Sequence, residues 1–211
     1  MATSLEPSPA RRITARGAKT RARIIAAATE LMQVRGVAAT TLDEVVAASG
    51  VSKSQLYHHF SGKEMLVRAV IEATGERVIG RERDALGRVS TIAGLRRWRD
   101  AIVQSNALRH GAYGCALGSL SNEVADHDDV ARTMLEQLFT EWRDQLAGAL
   151  RRIQDSGALP VDAPIDQLAT GLLGAVQGGY MLAQTARDAT PMGVSIDMAL
   201  AHIDSLASTT P

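Results

Sequence analysis

The chain has 211 residues, with 23 Lys plus Arg, 23 Asp plus Glu, one cysteine and few aromatics (2 Trp, 3 Tyr, 2 Phe). This length accommodates one large domain or a small domain joined to a medium one, and either can bury a core. The lone Cys115 excludes an intrachain disulfide scaffold and a zinc ribbon, and it points to a reducing compartment.

Zero net charge conceals a split. Residues 1–63 carry nine basic and four acidic side chains, net 9 − 4 = +5, whereas residues 64–211 carry 14 and 19, net 14 − 19 = −5. The N-terminal end is therefore the one suited to a polyanion.

In chain order, residues 1–18 read as a flexible basic arm: Pro7, Pro9 and Gly17 break it, and large apolar side chains are almost absent. It lacks the apolar core of a secretory signal and resembles a transit peptide only weakly. From Lys19, the positions Ile24, Ala28, Leu31 and Met32 mark one buried helical face, and Gly36 stops the helix after Arg35. Three helix starts then follow within a short stretch. Thr41 with Glu44, Ser52 with Gln55, and Ser61 with Glu64 each fit the capping box, in which a hydroxyl takes the N3 amide and the N3 side chain takes the N-cap amide. A helix from Thr41 runs to Ser49, Gly50 makes a turn, and a second runs from Ser52 to Phe60. This is a helix-turn-helix sealed by Val45, Val46, Val51, Leu56 and Phe60. The DNA-binding domain is thus placed at residues 19–64 and a second domain at 65–211.

Beyond it the pattern is helical throughout. Helices are expected over about 65–88, 92–109, 117–124, 128–156, 165–187 and 195–206, with glycine-rich 111–118 and Pro160 and Pro164 as breaks. Residues 168–186 carry no charge, which raises the question of a membrane span. Four glycines and several polar side chains make the segment too mildly apolar for one. Gly171, Ala175, Gly178 and Leu182 instead form a stripe of mostly small side chains, suited to close helix approach in a homodimer.

In a helix-turn-helix the second helix enters the major groove. Here it offers Ser52, Lys53, Ser54 and Gln55 toward base edges, with Lys suited to guanine and Gln to adenine. Tyr57, His59 and Lys63 suit phosphates, as do the amides at Thr41. Gln55 is also claimed by its capping box, and Lys53 by solvent. Adjacent His58 and His59 point about 100° apart on a helix and do not chelate one ion. Asp126 and Asp128 read as helix N-caps rather than calcium ligands, so no metal and no cofactor is expected. No phosphate-binding glycine loop, nucleophile elbow or zinc-protease motif occurs, which argues against an enzyme. Cys115 reads by default as a small buried apolar residue.

Residues 40–63, TTLDEVVAASGVSKSQLYHHFSGK, closely resemble the DNA-binding signature of tetracycline-repressor (TetR/AcrR) type regulators. The matching positions are Thr41, Ala47, Gly50, Val51, Ser52, Leu56, Tyr57, His59, Phe60 and Lys63. The segment 114–118, GCALG, with Glu123, resembles the subgroup named for the lincomycin-resistance repressor LmrA. The resemblance implies an all-α protein of nine to ten helices, with a three-helix DNA-binding domain and a larger ligand-binding and dimerisation domain. It implies a bacterial, cytoplasmic, nucleoid-associated repressor that binds double-stranded DNA at a palindromic operator. A small, lipophilic or aromatic effector releases it; an activator or a ligand-independent regulator would share every N-terminal feature. The last two helices would form the dimer interface, bringing Met198 and His202 to the stripe already noted. Trp98, Tyr113, Cys115, Leu138, Trp142 and Tyr180 are the candidates for lining an effector pocket.

Overall fold

The computed structural model describes residues 14–207, which form nine helices and no strand. In order these are α1 (Ala15–Arg35), α2 (Leu42–Ser49), α3 (Lys53–His59), α4 (Lys63–Leu86), α5 (Ile92–Ala107), α6 (Ala116–Val124), α7 (Asp129–Asp155), α8 (Ile165–Ala186) and α9 (Thr190–Ala207).

The first two capping boxes form as expected. Thr41 Oγ1 takes the Glu44 amide while Glu44 Oε2 takes the Thr41 amide at 2.8 Å, and Ser52 and Gln55 repeat the exchange. Gly50 ends α2 with φ +63°, a left-handed conformation that side chains disfavour. Arg23 of α1 locks this turn by donating to the Ser49 carbonyl at 2.5 Å. The third box does not form. The N-cap of α4 is Gly62, one residue on, which puts Ser61 and Glu64 out of register.

Two helix starts also differ. α1 begins at Ala15 because Thr14 Oγ1 caps it through the Gly17 amide at 3.2 Å. Of the expected arm, residues 1–13 lie outside the described residues and 15–18 form the first turn of α1. α9 begins at Thr190 rather than Ser195. Asp188 takes the Thr190 amide at 3.0 Å, and Pro191 follows in the first turn, where its missing N–H has no intrahelical partner to lose.

α1, α2 and α3 enclose a small core of Ile24, Ala28, Val45, Leu56 and Phe60, while Val46 is half-buried. α4 leaves this core and packs along α7 in the larger domain, where α7 lies on α8 and α8 on α9. Gly179 permits the last contact: a Cβ there would stand 3.0 Å from the Met192 backbone. No helix of the described residues is long and apolar enough to cross a membrane.

Asp128 fastens α4 to α7. Its carboxylate takes both Arg68 Nε and Nη2 at 2.9 Å and also the Val130 and Ala131 amides at the start of α7. The Arg68 bonds, with the Ala131 amide next, hold the carboxyl below the usual range. Its stabilisation is complete above the unfolded Asp value of about 3.9 and is lost as pH falls through the lower folded value. Asp128→Asn should therefore shrink the stability lost on acidification below about pH 4. Thermal unfolding of both proteins from pH 3 to 7 checks this, and parallel curves would rule out the contribution.

Candidate nucleic-acid interface and internal cavity

α3 is seven residues long and buries only Leu56, so the rest of its circumference is available. Lys53, Ser54, Gln55 and Tyr57 are exposed, as are the caps Thr41 and Ser52. Two of these groups are already engaged. Lys53 Nζ pairs with Asp43 at 2.9 Å, a hydrogen bond that raises its pKa, and Gln55 Oε1 takes the Ser52 amide at 2.9 Å. With Oε1 held in the cap, the amide nitrogen is the freer group of Gln55, a donor that matches guanine O6 or N7, or thymine O4.

His59 is half-buried, and burial, with His58 and Arg21 next, pushes its pKa down. The shift favours the neutral imidazole, which offers one N–H rather than a cation. Lys63 Nζ rests on the Ala38 carbonyl at 3.1 Å, at the α1–α2 turn. Arg21 lies over the Phe60 ring, 5.5 Å from its centroid. Thr41, Ser52, Lys53, Ser54, Gln55, Tyr57, His59 and Lys63 thus all belong to the α2–α3 unit or its immediate flank.

The same unit is tied to the larger domain by Glu123, near the C-terminal end of α6. Its Oε2 takes the Val37 amide at 2.6 Å and the Ala38 amide at 3.2 Å, across 86 residues of sequence. Gly36, φ +86°, makes room: a Cβ there would stand 2.8 Å from that oxygen. The carboxylate clasps the turn that also receives Lys63.

The N-terminal end of α6 faces a cavity. Cys115 caps this helix, its sulfur taking the Gly118 amide at 3.4 Å. With Trp142 of α7 and Tyr180 of α8 it lines a space of about 50 Å³, joined by Asn106 and by Arg77, Arg81 and Arg109. Burial pushes the Cys115 thiol pKa up, which keeps it protonated and unreactive at neutral pH. Burial, with Cys115 next, likewise pushes Tyr180 up to about 12.

The other three pocket candidates lie elsewhere. Trp98 is buried but donates its Nε1–H to Glu82 at 2.9 Å. Leu138 packs against Gly75 in a separate groove between α4 and α7. Tyr113 is 42% exposed on the loop, at φ +68°. With three arginines, Ser105 and Asn106 in its lining, the cavity is more polar than a lipophilic effector would require.

Sequence reasoning overlooked the arginines and Glu82. Glu82 is 2% exposed and is neutralised by Arg81, whose Nη2 lies 2.8 Å away. A signal was present, since Glu82 interrupts the buried stripe Val78, Glu82, Leu86 at four-residue spacing.

The dimer candidates are all exposed or half-buried. A Cβ on Gly171 or Gly178 would meet nothing within 4 Å. Ala175 is half-buried, His202 is exposed, and Leu182 and Met198 are exposed apolar side chains, as are Met181 and Val194 beside them.

A helix-turn-helix reader mounted on a larger helical body defines a DNA-binding regulator. Comparison with known proteins makes this specific. Residues 24–70 match the family described as bacterial regulatory proteins, tetR family, and residues 91–199 match the tetracyclin repressor-like C-terminal domain. The chain is 25% identical to the HTH-type transcriptional repressor DhaR of Mycobacterium sp. strain GP1 over 175 residues, 82% of this chain and 86% of that one. It is also 25% identical to the HTH-type transcriptional regulator LmrA of Bacillus subtilis over 174 residues, 82% and 90% of the two chains. A solved regulatory protein TetR from Rhodobacter sphaeroides superposes with a TM-score of 0.77 at 26% identity, covering 87% of this chain and 98% of that one. The chain belongs to the TetR family of transcriptional regulators.

Proposed function

We propose that this regulator is a homodimeric repressor, working in the bacterial cytoplasm, that holds a palindromic operator through two α3 helices. A small molecule entering the larger domain releases it. The observation that carries this reading is the position of α6. One end, at Cys115, borders the cavity, and the other, at Glu123, grips the α1–α2 turn through two amides. A ligand that shifts α6 would pull on the reader directly, and it moves the equilibrium only by its differential affinity for the two positions. That DhaR is named a repressor favours repression over activation.

Transcription in a purified system from a promoter that the protein occupies tests the reading. The transcript should fall as protein is added; a rise would identify an activator. Glu123→Ala tests the clasp separately. With their acceptor gone, the Val37 and Ala38 amides should exchange with solvent about tenfold faster or more. Unchanged exchange there would mean that the clasp does not hold the turn in solution.

A further inference from the structure

Two buried residues that line the cavity each carry a polar atom without a partner. Trp142 is fully buried, and its Nε1–H finds no acceptor. Asn106 is 4% exposed, and its Oδ1 finds no donor. Leaving either group unpaired in a dry interior is costly. One kind of group answers both at once: a hydroxyl accepts from the indole N–H and donates to the amide oxygen.

The mouth has a different character. Arg77 and Arg109 line it, are exposed, and enter no ion pair among the described residues. Arg81 is already neutralised by Glu82, and no carboxylate lines the cavity. Two guanidinium groups beside one opening match a carboxylate in charge and in planar geometry.

Size narrows the class further. A space of about 50 Å³ holds roughly three to five water-sized groups. A short carbon chain fills it more readily than a fused aromatic system does.

We propose that the effector is a short hydroxycarboxylic acid, its hydroxyl held between Trp142 and Asn106 and its carboxylate at the mouth by Arg77 and Arg109. This rests on the effector reading above and replaces the lipophilic class that the family resemblance implied. The hydroxyl end fills the interior while the carboxylate stays where water and guanidinium share it, so no charge is buried unpaired. Recognition of this kind discriminates strongly, because a ligand without the hydroxyl leaves both buried groups unpaired again.

The test uses the full-length protein and four probes: 3-hydroxypropanoate, 3-hydroxybutanoate, propanoate and propane-1,2-diol. Binding is read by calorimetry and by tryptophan emission, since Trp142 borders the site. Both hydroxy acids should bind, with propanoate and the diol each weaker by about tenfold or more. Arg77→Gln and Arg109→Gln, at exposed positions that leave the core intact, should each weaken the hydroxy acids about tenfold while sparing the diol. Trp142→Phe should shrink the preference for hydroxy acids over propanoate, leaving the part that Asn106 supplies. Absence of hydroxy-acid binding at 10 mM, or equal binding of propanoate, overturns the assignment.

The same probes are then added to the operator complex. Hydroxy acids that bind but leave the complex intact would keep the site and refute its effector role. Release by a neutral aromatic such as naphthalene, but not by hydroxy acids, would keep the effector role and refute this ligand class.

Discussion

Gly178→Leu is expected to turn the dimer into a monomer and to lower operator affinity by roughly 10²–10⁴-fold, the loss that follows when two tethered half-site contacts become independent. The physical case lies in what surrounds the residue. Apart from its chain neighbours and its own helix backbone, a Cβ on Gly178 would meet nothing within 4 Å, so there is open space for a side chain to enter. The neighbouring exposed side chains are apolar: Met181, Leu182, Val194 and Met198. An apolar face of this kind on α8 and α9, with glycine where two backbones can approach closely, is the surface that a second copy would cover. Sedimentation should report a monomer with unchanged helix content by circular dichroism. A dimer of undiminished stability would count against this face.

The double variant Tyr57→Phe, Lys63→Ala should weaken binding to every duplex sequence by about 10³-fold. Two subunits lose two hydrogen bonds each, at about 1 kcal/mol apiece. The salt dependence identifies the cause. Losing one cation per subunit should reduce the slope of log affinity against log salt by about 1.8, from 0.9 per phosphate contact. Folding should be almost untouched, because Tyr57 is 48% exposed and the Lys63 amine reaches only the Ala38 carbonyl. Weaker binding with an unchanged slope would remove Lys63 from the phosphate contacts. Loss on one sequence alone would instead mark Tyr57 as a base reader.

The two domains differed in how far their sequences could be read. The reader was legible almost residue by residue, because its grammar is local. Thr41 with Glu44 and Ser52 with Gln55 act over three residues, and Gly50 acts on its own backbone. Where local grammar failed, it failed by one register step, at Ser61 and Gly62, or by reading too little into Thr14 and Asp188 as helix openers. The cavity was less legible because it is built from partners far apart in sequence. Trp98 and Trp142 look alike in a helical pattern. Only the fold shows that the first spends its N–H on Glu82 while the second, which lines a cavity with Asn106, keeps its N–H unpaired. The Glu123 clasp spans 86 residues, and nothing near Glu123 in sequence announces Val37.

The charge split takes on a spatial meaning in this arrangement. Among the described residues, 14–63 form the reader and its leading helix and carry 7 − 3 = +4, and the acidic remainder, −5, is the body behind it. In a two-fold dimer the like charge of the body turns it away from DNA and leaves the readers in front.

Two copies should read DNA together through paired α3 helices. Selection of bound duplexes from a random pool, followed by hydroxyl-radical footprinting on the winners, decides this. The predicted result is an inverted repeat with two protected half-sites, centred about 10–10.5 base pairs apart or a multiple of that spacing. A single asymmetric site protected once, or no enrichment over the starting pool, would contradict it.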